Sequence, residues 1–361
     1  MTCTTFGGYF RTAFLALGTM MPLCAVAGTP VILDNDFLGP GGSNIQSLAY
    51  VLGRKDVDLL GITVVAGDGQ EKIETAHVLS FLDLARRNDV PVYEGAYRPL
   101  LNTRAEWQSR EYLYGPTGWH GAWGGFNALN DSPEPLDIRT VPEGLPTHAP
   151  AATSAAEFLV QASRRYQGEL ILIAGGPLTN IALAMTMDPD FVHNVRKIVF
   201  MGGEVNGNVI PNRDHASYSH DFNIRFDPEA AHLVLSAKWR EIVAVSPPAT
   251  QIPYKPAYSR CSNSDNPVSQ YLIRYAQSFP MWDEITAAIA LTPNLITSSS
   301  PLVLDAIYRD FSNYGYLVSR TSKGEQDRSS ATVQVVYQIN THNFLKNYQK
   351  AVCETVYDAT R

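Results

Sequence analysis

Three short stretches of the chain combine the side chains that cation binding, proton transfer and sugar recognition require. Asp34-Asn35-Asp36 puts two carboxylates two residues apart, directly after the apolar run Val31-Ile32-Leu33. Such a pair offers hard oxygens to Ca²⁺ or Mg²⁺, or a base to a water molecule. The same spacing also occurs in ordinary capped and solvated turns. Gly175-Gly176-Pro177-Leu178-Thr179-Asn180 follows a second apolar run and opens a helix. Its glycines let a ligand approach the backbone, and a helix N-terminus favours oxygen-rich groups. Capping alone accounts for Thr179. Asn208, Asp221 and Asn223, downstream of Gly202-Gly203-Glu204, offer acceptors and amide donors suited to sugar hydroxyls. Asp227 ahead of Pro228 reads as a helix N-cap.

These stretches are far apart in the chain, so a scaffold must gather them along one edge. Apolar runs at Val31–Leu33, Leu59–Val65, Val90–Tyr93, Glu169–Ala174, Lys197–Met201 and Glu241–Ser246 read as buried strands. Helical periodicity separates them around Ile45–Leu52, Glu71–Arg86, Ala151–Tyr166, Leu178–Met187 and Pro228–Ser236. The alternation predicts an α/β fold with an open, mostly parallel central sheet covered by helices on both faces. Helices near Pro267–Phe279 and Asp283–Ala290, strands near Leu302–Ile307 and Ala331–Ile339, and a last helix from Asn343 to Val356 complete it. In such a sheet ligands bind beyond the carboxyl ends of the strands, which is where all three stretches lie. Residues 97–150 break the rhythm and are rich in Gly, Pro, Trp and Tyr. A loop of that length usually serves a ligand, and it carries Tyr114, Trp119, His120 and Trp123. No repeat or linker divides the chain, so residues 28–361 read as one domain.

Composition narrows the classes. Of 361 residues 45% are hydrophobic and 17% charged, against a typical charged share of roughly 25%, which excludes a disordered polar chain. The net charge of −7 lacks the basic footprint of a nucleic-acid binder. Residues 1–27 hold one charged side chain, Arg11, an apolar stretch interrupted by Gly18 and Pro22, and the ending Ala25-Val26-Ala27. This is a signal-peptide pattern, and it predicts a secreted, extracellular protein without stable membrane insertion. Cys3 and Cys24 would leave with that segment. Cys261 and Cys353 would remain, either as one disulfide or as two separate buried thiols.

Gly-Gly-Pro-Leu-Thr-Asn-Ile-Ala-Leu-Ala at 175–184, Val-Phe-Met-Gly-Gly at 199–203 and Asp-Phe-Asn-Ile-Arg-Phe-Asp-Pro-Glu-Ala-Ala at 221–231 resemble the inosine–uridine-preferring nucleoside hydrolases, in the layout of their secreted fungal members. The likeness extends through residues 61–67, 91–95 and 282–284. It implies a hydrolase that cleaves the N-glycosidic bond of a ribonucleoside to free base and ribose, with Ca²⁺ as cofactor. The resemblance implies Asp34, Asp36, the Gly175 carbonyl and Asp283 as metal ligands. Asp36 would take a proton from the water that attacks C1′, through an oxocarbenium-like transition state. Asn208, Asp221 and Asn223 would hold the ribose, and His120 resembles part of a loop closing over the substrate. Partners would be a small nucleoside and, as commonly in the family, one or three further copies of the chain.

The sequence also departs from that pattern. The paired Asp that should close the first motif is missing, and Gly42, Ser43 and Asn44 occupy the region. Fewer charged ligands predict a weakened metal site. Asp68 stands where many members carry Asn. Trp282 stands where some carry a His proposed to protonate the leaving base; an indole can stack on a base but not supply that proton. His215 and His220 lie before Asp221, and His220 is a candidate acid. These departures keep open a rival reading, a relative that binds a nucleoside-like ligand or a protein partner without turnover. A phosphatase reading of Asp34 and Asp36 explains none of the later motifs.

Overall fold

Val31, Ile32 and Leu33 alternate between two hydrophobic cores, one on each side of a single sheet. The computed structural model describes residues 28–124, 141–203, 221–252, 261, 266–277, 279–321 and 331–353. Its strands are β1 (Thr29–Asn35), β2 (Val57–Val64), β3 (Val92–Glu94), β4 (Ile171–Ala174), β5 (Lys197–Met201), β6 (Ile242–Val245), β7 (Ile296–Ala306), β8 (Leu317–Thr321) and β9 (Val333–Ile339). They form one open sheet in the order β3-β2-β1-β4-β5-β6-β9-β7-β8. Pairings from β3 through to β9 are parallel, whereas β7 runs antiparallel to both β8 and β9.

One face is covered by α1 (Ser43–Leu52), α2 (Glu71–Ala85), α9 (Pro267–Tyr275), α10 (Trp282–Leu291) and α11 (Thr341–Cys353). Val31 and Leu33 pack there with Leu48, Ile285 and Phe344. The other face is covered by α4 (Ala155–Arg165), α5 (Thr179–Met187) and α8 (Pro228–Ser236), where Ile32 meets Leu159, Ile181 and Val234. Asp227 caps α8 through Ala230 N–H at 3.0 Å, as expected from Asp-Pro. It also accepts Thr179 Oγ1 at 2.7 Å, so the cap ties α5 to α8.

Four elements depart from the sequence reading. The stretch 97–150 contains a helix, α3 (Arg104–Tyr114), which buries only Trp107 and Arg110. So narrow a face leaves almost no periodicity, and the legible signal was its capping box, Thr103 with Glu106. The short helices α6 (Phe191–Asn194) and α7 (Phe222–Phe226) and the edge strand β8 were also missed. Cys261 and Cys353 form a disulfide across 92 residues, with Cα atoms 4.9 Å apart. Among the described residues no helix is long and apolar enough to cross a membrane. The segment 1–27 lies outside them.

Candidate active site

A cavity of about 480 Å³ opens at the carboxyl ends of β1, β4 and β5, within the size range usual for ligand sites. Its floor carries Asp36, Asp68, Asp283, Ser43, Asn44 and Gly175, its side wall Met201, Asp221, Asn223 and Arg225. Trp119, Phe279 and Trp282 form an aromatic rim. Phe279 stacks on Trp282 at 5.7 Å and meets Trp119 edge-on at 6.3 Å.

The floor depends on where β1 ends. Asp36 is the first residue beyond the strand and turns into the cavity, 1% exposed. Its Oδ2 accepts Asp68 N–H at 2.8 Å and its Oδ1 accepts the Asn44 amide at 3.1 Å. Asp283 comes from the first turn of α10, and its N–H donates to Ser43 Oγ at 3.0 Å. Ser43 in turn donates to the buried Glu284 at 2.6 Å, which joins the N-termini of α1 and α10. Asp68 sits in the loop after β2 and accepts the Trp119 indole N–H at 2.6 Å.

These acids raise one another. Burial holds the Asp36 carboxyl well above its ordinary value, and the charges of Asp68, Glu74 and Asp283 push it further. Burial and then Asp68 do the same to Asp283. Loss of solvent moves Asp68 up to about 6, although the Trp119 and Asn44 hydrogen bonds oppose it. Glu74, behind the floor, holds Gly69 N–H at 2.6 Å and is likewise raised by burial and Asp68.

The side wall is fixed by α7 and the glycines after β5. Asp221 caps α7, and its Oδ2 accepts Gly203 N–H at 2.7 Å. Gly202, at φ +149°, has no room for a side chain because an added Cβ would stand 2.8 Å from that carboxylate oxygen. Asn223 donates to the Gly175 carbonyl at 2.6 Å, linking wall to floor. The Arg225 guanidinium lies 3.9 Å over the Trp107 ring.

A sequence profile described as inosine-uridine preferring nucleoside hydrolase matches residues 31–346. The chain belongs to this family. The uncharacterized protein C800.11 of Schizosaccharomyces pombe is 30% identical over 299 residues, 76% of this chain and 72% of that protein. A protein of Arabidopsis thaliana named probable uridine nucleosidase 2 is 33% identical over 217 residues, 60% of this chain and 58% of the relative. A solved plant nucleoside hydrolase shares the fold with a TM-score of 0.69 at 22% identity, over 91% of this chain and 99% of that one. A purine-preferring ribonucleoside hydrolase from Gardnerella vaginalis does so with a TM-score of 0.69 at 19% identity, over 91% and 99%.

Against the family pattern, Asp36, Gly175, Asp283, Asp68, Asp221, Asn223 and Trp282 meet at the one cavity. Two expected residues do not. Asp34 still belongs to β1, opposite Thr63 of β2 and Ala174 of β4. Its Oδ2 accepts Thr63 Oγ1 at 2.6 Å and Asn180 at 2.8 Å, and burial pushes its carboxyl up to about 7. Asp34 therefore braces β1 against β2 and α5 through Oδ2, while its Oδ1 is buried with no hydrogen-bond partner among the described residues. His120 pairs through Nε2 with Glu111 at 2.8 Å and does not line the cavity, whereas its neighbour Trp119 does. Asn208, His215 and His220 lie outside the described residues. Of the loop aromatics, Trp123 packs on Trp107 and Phe226, and Tyr114 faces Phe311.

Sequence reasoning assigned nothing to Asn35, Phe279, Glu74 or Arg225. Phe279 carried no signal beyond its nearness to Trp282. Asn35 stands inside the first motif, where only the two flanking carboxylates carry a recognisable signal.

The donor set fits a hard cation in part. Asp36, Asp283 and the Gly175 carbonyl border one space, and the like charges there favour a cation. Among the described residues no three acidic, His or Cys side chains group as metal donors. The shell would have to be closed by neutral oxygens.

Proposed function

We propose that this chain hydrolyses the N-glycosidic bond of ribonucleosides, releasing free base and ribose. The observation that carries the reading is Asp36, a buried carboxylate on the floor of a nucleoside-sized cavity whose rim is aromatic. The sugar would lie between floor and wall, its hydroxyls shared by Asp221 and Asn223. The base would sit among Trp119, Phe279 and Trp282, whose faces provide stacking area. Asp36 would accept a proton from the attacking water; the bond from the water oxygen to C1′ forms as the C1′–N bond breaks, the departing nitrogen takes a proton from solvent, and Asp36 returns its proton to solvent. Asp68 and Asn44, bonded to the two Asp36 oxygens, keep that carboxylate in one orientation.

Asp36, Asp283 and the Gly175 carbonyl are the groups that would hold Ca²⁺. Bound there, the ion would lower the pKa of a coordinated water. We further propose that the protein is secreted. The leader-like residues 1–27 and the Cys261–Cys353 disulfide both favour an oxidising compartment.

The test is an assay of the purified mature chain on a panel of nucleosides, with Ca²⁺ and with chelator, following released base and reducing sugar. Release that chelator abolishes supports the full proposal. Ser43 and Asn44, in place of a pair of acids, favour a second reading, a nucleoside-binding protein without turnover. Retained binding with no release from any nucleoside selects it.

A further inference from the structure

We infer that Asn35 is a positioning residue that clamps the two floor acids, Asp36 through its backbone N–H and Asp283 through its carboxylate, in their working arrangement. The inference rests on the proposed hydrolase reading and adds a residue to it.

The strand register explains why Asn35 can do this. Leu33 faces the core that holds α1 and α10, and alternation turns Asn35 to the same side. Asp34 turns with Ile32 toward α5, which leaves it in the brace with Asn180. Asn35 is the last residue of β1 and is 0% exposed. Its Oδ1 accepts Asp36 N–H at 2.9 Å and the Asn44 amide at 3.3 Å. Its Nδ2 donates to Asp283 Oδ2 at 3.4 Å. From the fourth side Gly175 closes on it, since an added Cβ there would stand 2.3 Å from Nδ2. One carboxamide thus touches the end of β1, α1, α10 and the end of β4. A carboxylate of the same shape could not donate to Asp283, and an apolar residue could neither donate nor accept. Buried polar groups left without partners move or draw in water, and small displacements of a reacting group are costly to rate.

The experiment compares Asn35→Leu, Asn35→Asp and the smaller Asn35→Ser, with turnover counted per folded molecule. Leu and Asp should lower kcat about 100-fold with KM within about threefold. Ser keeps an acceptor for Asp36 N–H but cannot span to Asp283 and should lose about tenfold. A residue that only fills space would lower Tm and leave kcat per folded molecule unchanged; that outcome for the variants that fold overturns the clamp. If Leu and Asp do not fold, the Ser variant decides by the same criterion. The wild-type chain guards the premise: no base released from any nucleoside sinks the hydrolase reading alone. The clamp is then judged by unfolding of Asn35→Ala, Asn44→Ala and the double variant. Losses of Tm that are less than additive support it, and strictly additive losses overturn it.

Discussion

Asp36 and Asp283 on the cavity floor are 1% and 5% exposed and are held by donors from several elements, whereas Trp119 at the rim is 39% exposed and is held by its indole hydrogen bond to Asp68 and an edge contact with Phe279. The floor is made where strands and helix N-termini end, so its geometry is inherited from the rigid sheet. The rim is made of Trp119 from the loop after α3, Phe279 from the turn before α10 and Trp282 from the first turn of α10. Asp68 belongs to both, its N–H on Asp36 and its carboxylate on Trp119. Under the proposed function, the contrast would put the chemical step on the floor and the choice of base on the rim.

The largest expected effect tests the floor. Asp36→Asn keeps size but removes the base and turns one of two accepting oxygens into a donor facing Asp68 N–H or the Asn44 amide, and kcat should fall about 1,000-fold with KM little changed. A variant that retains near-normal kcat would move the base elsewhere. Next comes the support of the rim. Cys353→Ser opens a bridge closing 92 residues and should cost about 2–5 kcal/mol of stability in denaturant unfolding. Because Cys261 precedes α9 and the rim segment, KM should rise more than kcat falls. Trp119→Ala should then raise KM about tenfold for the preferred nucleoside and leave kcat within about threefold, as expected for loss of one stacking face. An equal fall of kcat would mean that floor and rim are not separable.

The smallest effect is electrostatic. Asp34 and Asp68 are raised from 3.8 to about 7 and about 6 in the folded chain. Between the ordinary value and those values the folded state binds more protons than the unfolded one, so stability falls as pH rises. Without metal, Tm should drop from about pH 5 to about pH 8, and added Ca²⁺ should restore part of the loss, because a cation compensates ionised Asp36, Asp68 and Asp283. A Tm that rises across that range would contradict buried, mutually repelling acids.

Much of this was legible in residue order. The strands β1 to β6 were visible because each is a short apolar run ending in turn residues, and a sheet buried on both faces needs such runs. Asp36, Asp283, Asp221 and Asn223 were legible by motif. His120 and Asp34 do not line the cavity, for different reasons. His120 had a carboxylate partner, Glu111, nine positions earlier in a helix that periodicity did not reveal. Asp34 and Asp36 are identical in type and both follow an apolar run, and nothing local says at which residue the chain leaves the sheet.

Residue order by itself determined the layered α/β plan and the gathering of motifs at the carboxyl ends of the strands; the missing pair of acids around Gly42, Ser43 and Asn44 is what the family resemblance implies. The plan and the gathering follow from apolar runs, helical spacing and residue type, which are local. Only the tertiary structure decided that β1 continues through Asn35, so that Asp34 braces, Asp36 lines the cavity and Asn35 faces α10. It also decided that Trp119 rather than His120 borders the cavity, and that Cys261 and Cys353 meet. Each of these depends on which of two neighbouring residues points to which side, or on a distance across some 90 to 250 positions of chain. Such outcomes are set by packing against partners that are remote in sequence.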